Sequence, residues 1–187
     1  MSLSQEYLEA RAIAQRITAE VGEPVFYVLQ REAVETSGRL FREHPLVERA
    51  LAALGAEPDR IGHGLSHVTK VALDAGAIIL IERGNGGRIE QVHRLVAMAH
   101  VAGILHDIRR EEKDHARKGA EEAERMLRDF DLDSGERSAI GGAIANHEAF
   151  RPSNPMGEPD WQLLSDALYD ADKFRWGPDN FTDTIWE

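Results

Sequence analysis

The sequence predicts an all-helical fold in a single domain, a bundle joined by short loops. Three observations carry this expectation. Apolar residues recur at three- and four-residue spacing through most of the chain, the period of a helix with one buried face. No stretch keeps the period-two alternation and β-branched enrichment of a half-buried strand. The periodic segments are separated by glycine- and proline-bearing breaks of the kind that stop helices.

Taken in order, helices are expected at about 5–20, 25–42, 45–54, 65–83, 89–107, 114–130, 135–150 and 160–174, with ends good to ~2–4 residues. The first two rest on apolar spacing alone. Pro45 suits the first turn of the third, where its missing N–H is no loss. The fourth carries His67, Val71, Ala75 and Ile78 on one face and stops at the turn Gly84-Asn85-Gly86-Gly87. In the fifth, Ile89, Val92, Val96, Ala99, Gly103 and His106 form one inward stripe, because side chains three and four apart share a helix face. The sixth has Ala116, Ala120, Ala123 and Leu127, with His115 beside that stripe. Asp133-Ser134-Gly135 is a cap-like break before the seventh, in which His147 follows Ile140 and Ile144. Residues 151–159 hold three prolines in nine positions and must form a loop, either a cover for a site or a plain surface connection. The eighth helix aligns Trp161, Leu164, Leu168 and Asp172.

Composition narrows the function classes. At 187 residues one domain can bury ~65–75% of its unfolded surface, enough for a real core. Hydrophobic residues at 42% and charged residues at 29% argue against disorder. The longest apolar run, near Ala75 to Ile81, is too short for a bilayer, and the polar N-terminus lacks a secretory pattern; a cytoplasmic location with no membrane partner is expected. The absence of cysteine excludes thiolate metal sites and leaves His and carboxylates as the strong ligands. With 33 acidic against 22 basic side chains, the net charge of −11 repels a nucleic-acid polymer. A small anionic substrate remains compatible, because a bound divalent ion dominates the potential of its own site.

Four expected helices each turn a ligand-type residue inward: His67, His106 with its neighbour Asp107, His147, and Asp172. A lone inward histidine is usually a hydrogen-bonded core residue. A carboxylate among apolar neighbours loses several kcal/mol of hydration unless it meets a cation or several donors. Imidazoles and carboxylates converging without sulfur suit manganese, iron, zinc, nickel or cobalt, and magnesium less well.

These residues resemble the HD superfamily of metal-dependent phosphohydrolases. His67-Val-Thr-Lys-Val71 looks like the family's first element, His106-Asp107 like its eponymous pair, and Asp170-Ala-Asp-Lys173 like its last, with Asp172 as the ligand. The resemblance spans about 62–174 and leaves the first 60 residues outside it. It implies an HD-type helical bundle holding a divalent ion by His67, His106, Asp107 and Asp172. His115 and His147 fall where two-metal relatives carry extra ligands, and structural or substrate-facing roles for both are favoured slightly over a second ion. Some relatives continue the pair with Ile-Gly-Lys, whereas this chain reads Ile108-Arg109-Arg110. Arg110 either replaces that lysine as a phosphate clamp, since guanidinium binds phosphate through paired hydrogen bonds, or is a solvated surface charge, with the clamp narrowly favoured. Lys70 and Lys173 could assist or pair with nearby carboxylates, and His63 lies four residues before a ligand with its role open.

The resemblance thus implies hydrolysis of a nucleotide or related small phosphate ester by metal-activated water, with Asp107 steering a proton and His115 or His147 as general acid. A di-iron oxygenase on the same fold, or a non-catalytic metal- or nucleotide-binding module, are the competing readings. The N-terminal helices either complete the core or form a homodimer contact.

Overall fold

The computed structural model describes residues 4–55, 64–84 and 86–173, and these form helices joined by turns and short loops, with no strand among them. The order is α1 (Gln5–Val21), α2 (Val25–Leu29), α3 (Arg31–Glu43), α4 (Pro45–Leu54), α5 (Leu65–Arg83), α6 (Ile89–Leu105), α7 (His115–Met126) with a 3-10 turn at Leu127–Asp129, α8 (Ser134–Asn146) and α9 (Pro159–Lys173). The all-helical expectation is met.

The bundle is built around α6, which packs against α3, α4, α5, α8 and α9. Eleven consecutive residues, Leu95 to Leu105, are buried, so this helix is apolar all round, as a central helix must be. The single-stripe reading is corrected at its start: Ile89 is 63% exposed and Val92 only half-buried, because the first turn of α6 projects past the core. α5 lies against α6 at unusually short range. A Cβ on Gly103 would fall 2.6 Å from the Cα of Ala72, and one on Gly76 would fall 2.4 Å from Nε2 of His100. Two glycines therefore set the α5–α6 spacing.

Local chemistry explains most boundaries. Pro45 opens α4, capped by Nδ1 of His44, which accepts from the Leu46 N–H. Asp133 and Glu136 form a reciprocal capping box at α8, satisfying two N–H groups that the helix leaves open. Glu136 also accepts two hydrogen bonds at 2.7 Å from Arg94, fastening α8 to α6. The segment expected as one helix over 25–42 is two, interrupted at Gln30. No glycine or proline marks the break; Tyr27 on the short α2 instead donates to both oxygens of Asp74 on α5. α8 ends at Asn146 rather than Phe150, and α7 ends in the 3-10 turn. α1 buries no residue, and Ile13, Ile17 and Val21 stand exposed along it.

Candidate metal centre

Antiparallel packing brings the start of α5 to the end of α6, and α8 and α9 also end there while α7 begins. These five ends deliver six side chains: His67 from α5, His106 and then Asp107 from α6, His147 after α8, Asp172 from α9, and His115 from α7. Three helix C-termini and two N-termini oppose one another, so helix dipoles largely cancel and the side chains set the potential.

The contacts are short and nearly dry. Nε2 of His67 lies 3.2 Å from Oδ1 of Asp172, and Nε2 of His106 lies 3.6 Å from the same oxygen and 3.4 Å from Oδ2 of Asp107. Nε2 of His147 is 3.5 Å from Oδ1 of Asp107. The side chains of His106 and His147 have no exposure, and those of Asp107 and Asp172 only 3% and 6%.

The tautomers follow from the backbone. Nδ1 of His106 is 2.8 Å from the carbonyl oxygen of Gly103, and Nδ1 of His147 is 2.6 Å from that of Ile144. A carbonyl oxygen only accepts, so in both rings Nδ1 carries the proton and the neutral ring presents a lone pair at Nε2. Both Nε2 atoms are buried and make no hydrogen bond. Lone pairs and carboxylate oxygens thus face one another, an arrangement that requires a cation or a proton.

The donor set fits a metal ion. His67, His106 and Asp172 present atoms within 4.8 Å of one another, and so do His106, Asp107 and His147. Ligands about 2.0–2.2 Å from one ion stand about 3–4.4 Å apart, so modest closure would seat an ion in either group. In the absence of an ion the site favours a proton. Burial alone would push the His106 imidazole down, but Asp107 and Asp172 hold its pKa up at about 10. The carboxyls respond in kind: burial raises both, yet His106 with His147 at Asp107, and His106 with His67 at Asp172, hold each well below the usual carboxylate range.

Basic side chains also meet both carboxylates. Nη1 of Arg110 donates to Oδ2 of Asp107 at 2.8 Å, and Lys173 donates to Oδ2 of Asp172. Arg110, expected as a phosphate clamp, is therefore engaged with a ligand carboxylate, and Lys173 shows the carboxylate pairing weighed for it. His115 is half-buried, its ring 5.3 Å from that of His147, and burial followed by the nearby His147 lowers its pKa. Lys70 sits half-buried one turn beyond His67. His63 lies outside the described residues, as does Phe174.

Sequence reasoning missed Asn146. Its Nδ2 donates to the Asn154 carbonyl at 2.9 Å and to Oγ of Ser165 at 3.1 Å, while its Oδ1 accepts from the Asn154 N–H at 2.9 Å. It ties the proline-rich loop to α8 and α9 immediately beside His147. Its place after Ile140 and Ala143 on a buried face was the available signal. Also missed was the buried Ser37–His100 pair, 2.9 Å apart, which links α3 to α6. A shallow cavity of about 350 Å³ lies between α7 and α8, where Arg125, Arg128 and Arg137 meet Glu121 and Glu124. None of the candidate ligands lines it, and its charges largely neutralise one another. No protein-family model, curated protein or solved structure matches the chain.

Proposed function

We propose that the chain is a metal-dependent phosphohydrolase of HD type, acting on a nucleotide or related small phosphate ester. The single observation that carries this reading is the meeting of His106 with the side chains of Asp107 and Asp172, and with His67 and His147 around it. His67, His106, Asp107 and Asp172 would hold the ion, with manganese, iron, cobalt, nickel or zinc favoured by the nitrogen–oxygen donors over magnesium. The chemistry a divalent ion supplies at such a site is polarisation of a phosphoryl oxygen and a lowered pKa of water.

The remaining roles fall to the chain's own groups. Oδ2 of Asp107 lies between Arg110 and His106 and Oδ1 faces His147, so Asp107 would steer a proton released by water toward the His147 lone pair. His115, half-buried beside His147, is the better placed of the two histidines to meet a leaving oxygen, since His147 has no exposure. Arg110 and Lys173 pair with the carboxylates of Asp107 and Asp172 and would be available to phosphate oxygens with an ion bound. A cytoplasmic setting accords with the described helices, none of which is long and apolar enough to cross a membrane.

The test is elemental analysis of wild type, Asp107→Ala and Asp172→Ala after each is offered manganese, iron and nickel, followed by phosphate release from nucleoside monophosphates. One ion per wild-type chain, none in the variants, and release lost with the ion is the expected result. Full phosphatase activity in Asp107→Ala would refute the scheme. A second reading, oxygen chemistry at a pair of irons, draws on His115 and His147, whose rings lie 5.3 Å apart, as ligands of the second ion, since the one Nε2 lone pair of His106 serves a single ion; two irons per chain with oxygen uptake would select it.

A further inference from the structure

The loop beside the metal centre carries a residue that neither the fold nor the proposed chemistry explains. Phe150 has φ 62°, one of only two non-glycine residues in the left-handed region among those described. The other is Asp114, a residue type that tolerates this region, whereas a bulky side chain there is a true outlier. The ring of Phe150 is also fully exposed at 104%. Every other described aromatic residue is at least partly buried. An aromatic ring held outward on a strained backbone loses twice, and such strain persists where the surroundings impose it, commonly at ligand sites.

The segment that carries it is fastened at both ends. The segment leaves α8 at Asn146 and is fastened again eight residues later, where the Asn146 side chain pairs with both backbone groups of Asn154. Met156 then packs on the core, and its N–H donates to Gln162 at 3.2 Å. Pro152 and Pro155 remove further freedom. At the turn itself, Arg151 donates to Glu148 at 3.1 Å, so the flanking charges neutralise each other and the ring is the turn's apolar feature. Phe150 follows His147 by three residues, so its backbone lies within about 11 Å of that histidine even at full extension. That is the reach of one small molecule whose phosphate lies against the metal centre.

We infer that Phe150 is a specificity residue: its ring is a stacking platform for a planar aromatic group, such as a nucleobase, at the far end of the phosphate ester. This inference rests on the proposed site in placing the phosphate there, and it adds what the other end of the substrate must be. Stacking tolerates many bases because each has a π-face, and loss of one aromatic partner typically weakens binding about tenfold or more.

The experiment compares two probes that share phosphate and sugar and differ only in the base: the non-hydrolysable 5′-phosphonate analogues of adenosine monophosphate and of ribose 5-phosphate. Their dissociation constants are measured by calorimetry on manganese-loaded wild type, Phe150→Ala, Phe150→Gly and Phe150→Trp. The expected result is a preference of about tenfold for the adenosine probe in wild type and in Phe150→Trp. It should fall to near one in Phe150→Ala and Phe150→Gly, with the ribose probe binding unchanged. Phe150→Gly should also melt higher than wild type, because glycine adopts the left-handed conformation without strain. Equal affinity for both probes in wild type would overturn the inference, and so would a preference untouched by removing the ring. A lower melting temperature in Phe150→Gly, with both probes weakened together, would mark a structural residue and overturn it too, as would dissociation of a dimer in Phe150→Ala with the preference intact. A ring-dependent preference in a protein that releases no phosphate from the natural esters would uphold the platform and sink the hydrolase. Equal release from both natural esters, with or without the ring, would do the reverse.

Discussion

Replacing Gly103 by alanine should damage both the bundle and the candidate metal centre. A Cβ there would lie 2.6 Å from Cα, 2.8 Å from N and 2.9 Å from Cβ of Ala72, all well inside the 3.5–4.0 Å of a favourable carbon contact. The colliding atoms are mostly backbone and cannot rotate away, so α5 and α6 must separate by about 1 Å. Overpacking a tight interior costs about 1–3 kcal/mol, and a backbone collision belongs at the upper end. The better helix propensity of alanine returns about 1 kcal/mol. The net expectation is a loss of about 2 kcal/mol, a large share of the stability of an ordinary domain.

The site suffers as well, because Gly103 supplies the carbonyl that accepts from Nδ1 of His106, and Ala72 lies on the helix that carries His67. A shift of about 1 Å would move His67 relative to His106 by far more than metal–ligand distances vary, so any manganese binding at the proposed site should weaken at least tenfold. Urea unfolding in the presence of chelator measures the first effect, and manganese titration of the folded protein the second. The control is Gly142→Ala, whose Cβ would meet only the flexible end of Met156, at 2.7 Å from Cε; it should stay within about 1 kcal/mol of wild type. A Gly103→Ala protein with wild-type stability and manganese affinity would refute the reasoning, as would equal losses in the control.

Three further outcomes are expected. Manganese at a hundredfold excess over its dissociation constant should stabilise wild type by about 2.7 kcal/mol and leave Asp172→Ala unmoved, which thermal melts with and without chelator will show. Burial, followed by the nearby His44, lowers the pKa of His100 to about 3, so the unfolded chain binds a proton that the folded chain refuses between pH 6.5 and 3, and stability falls as pH falls through that window. The advantage of wild type over His100→Gln should therefore shrink by about 2 kcal/mol from pH 7 to pH 5, and a gap constant across urea melts at those two values would contradict it. Glu136→Ala removes a capping-box partner and the acceptor of Arg94 and should cost about 1–2 kcal/mol, part of it disappearing in high salt; a neutral effect would mean the cap contributes nothing.

Helix type and position were legible because burial on one face writes a 3.6-residue period, and the turn at 84–87 and the caps at Pro45 and Asp133 are local chemistry. The α2–α3 break was not, since it occurs where Tyr27 reaches Asp74, 47 residues away, and no local residue signals it. The stripe through Ile89 failed for a related reason: periodicity tells which face is apolar, not how far the rest of the bundle extends along it. That His67, His106, His147 and Asp172 turn inward could be read because each shares a helix face with core residues, with Asp107 following as the neighbour of His106. What could not be read was the wiring among them. Nothing in the spacing says that Arg110 turns back on Asp107, that Lys173 does so on its own neighbour, or that Asn146 pins a loop. Phe150 was invisible for the plainest reason, because left-handed backbone at a phenylalanine has no sequence signature.

The charge arrangement bears on what the proposed site would accept. Asp107 and Asp172 bring two negative charges, and Arg110 and Lys173 bring two positive ones against their outer oxygens. With neutral imidazoles the cluster sums to zero, so the chain's net charge of −11 is not felt there at short range. A divalent ion among the inner atoms would leave two positive charges uncompensated at the place where basic side chains are already gathered. A phosphate monoester carries about −1.5 to −2 at neutral pH, which matches that excess, whereas a diester carries only one negative charge. A proton on His106 meets half of the same demand and draws on the same lone pair, so proton and ion compete for one position. If the proposed ion is bound, that charge excess would suit a monoester dianion better than a diester, with the dianion arriving with or after the ion.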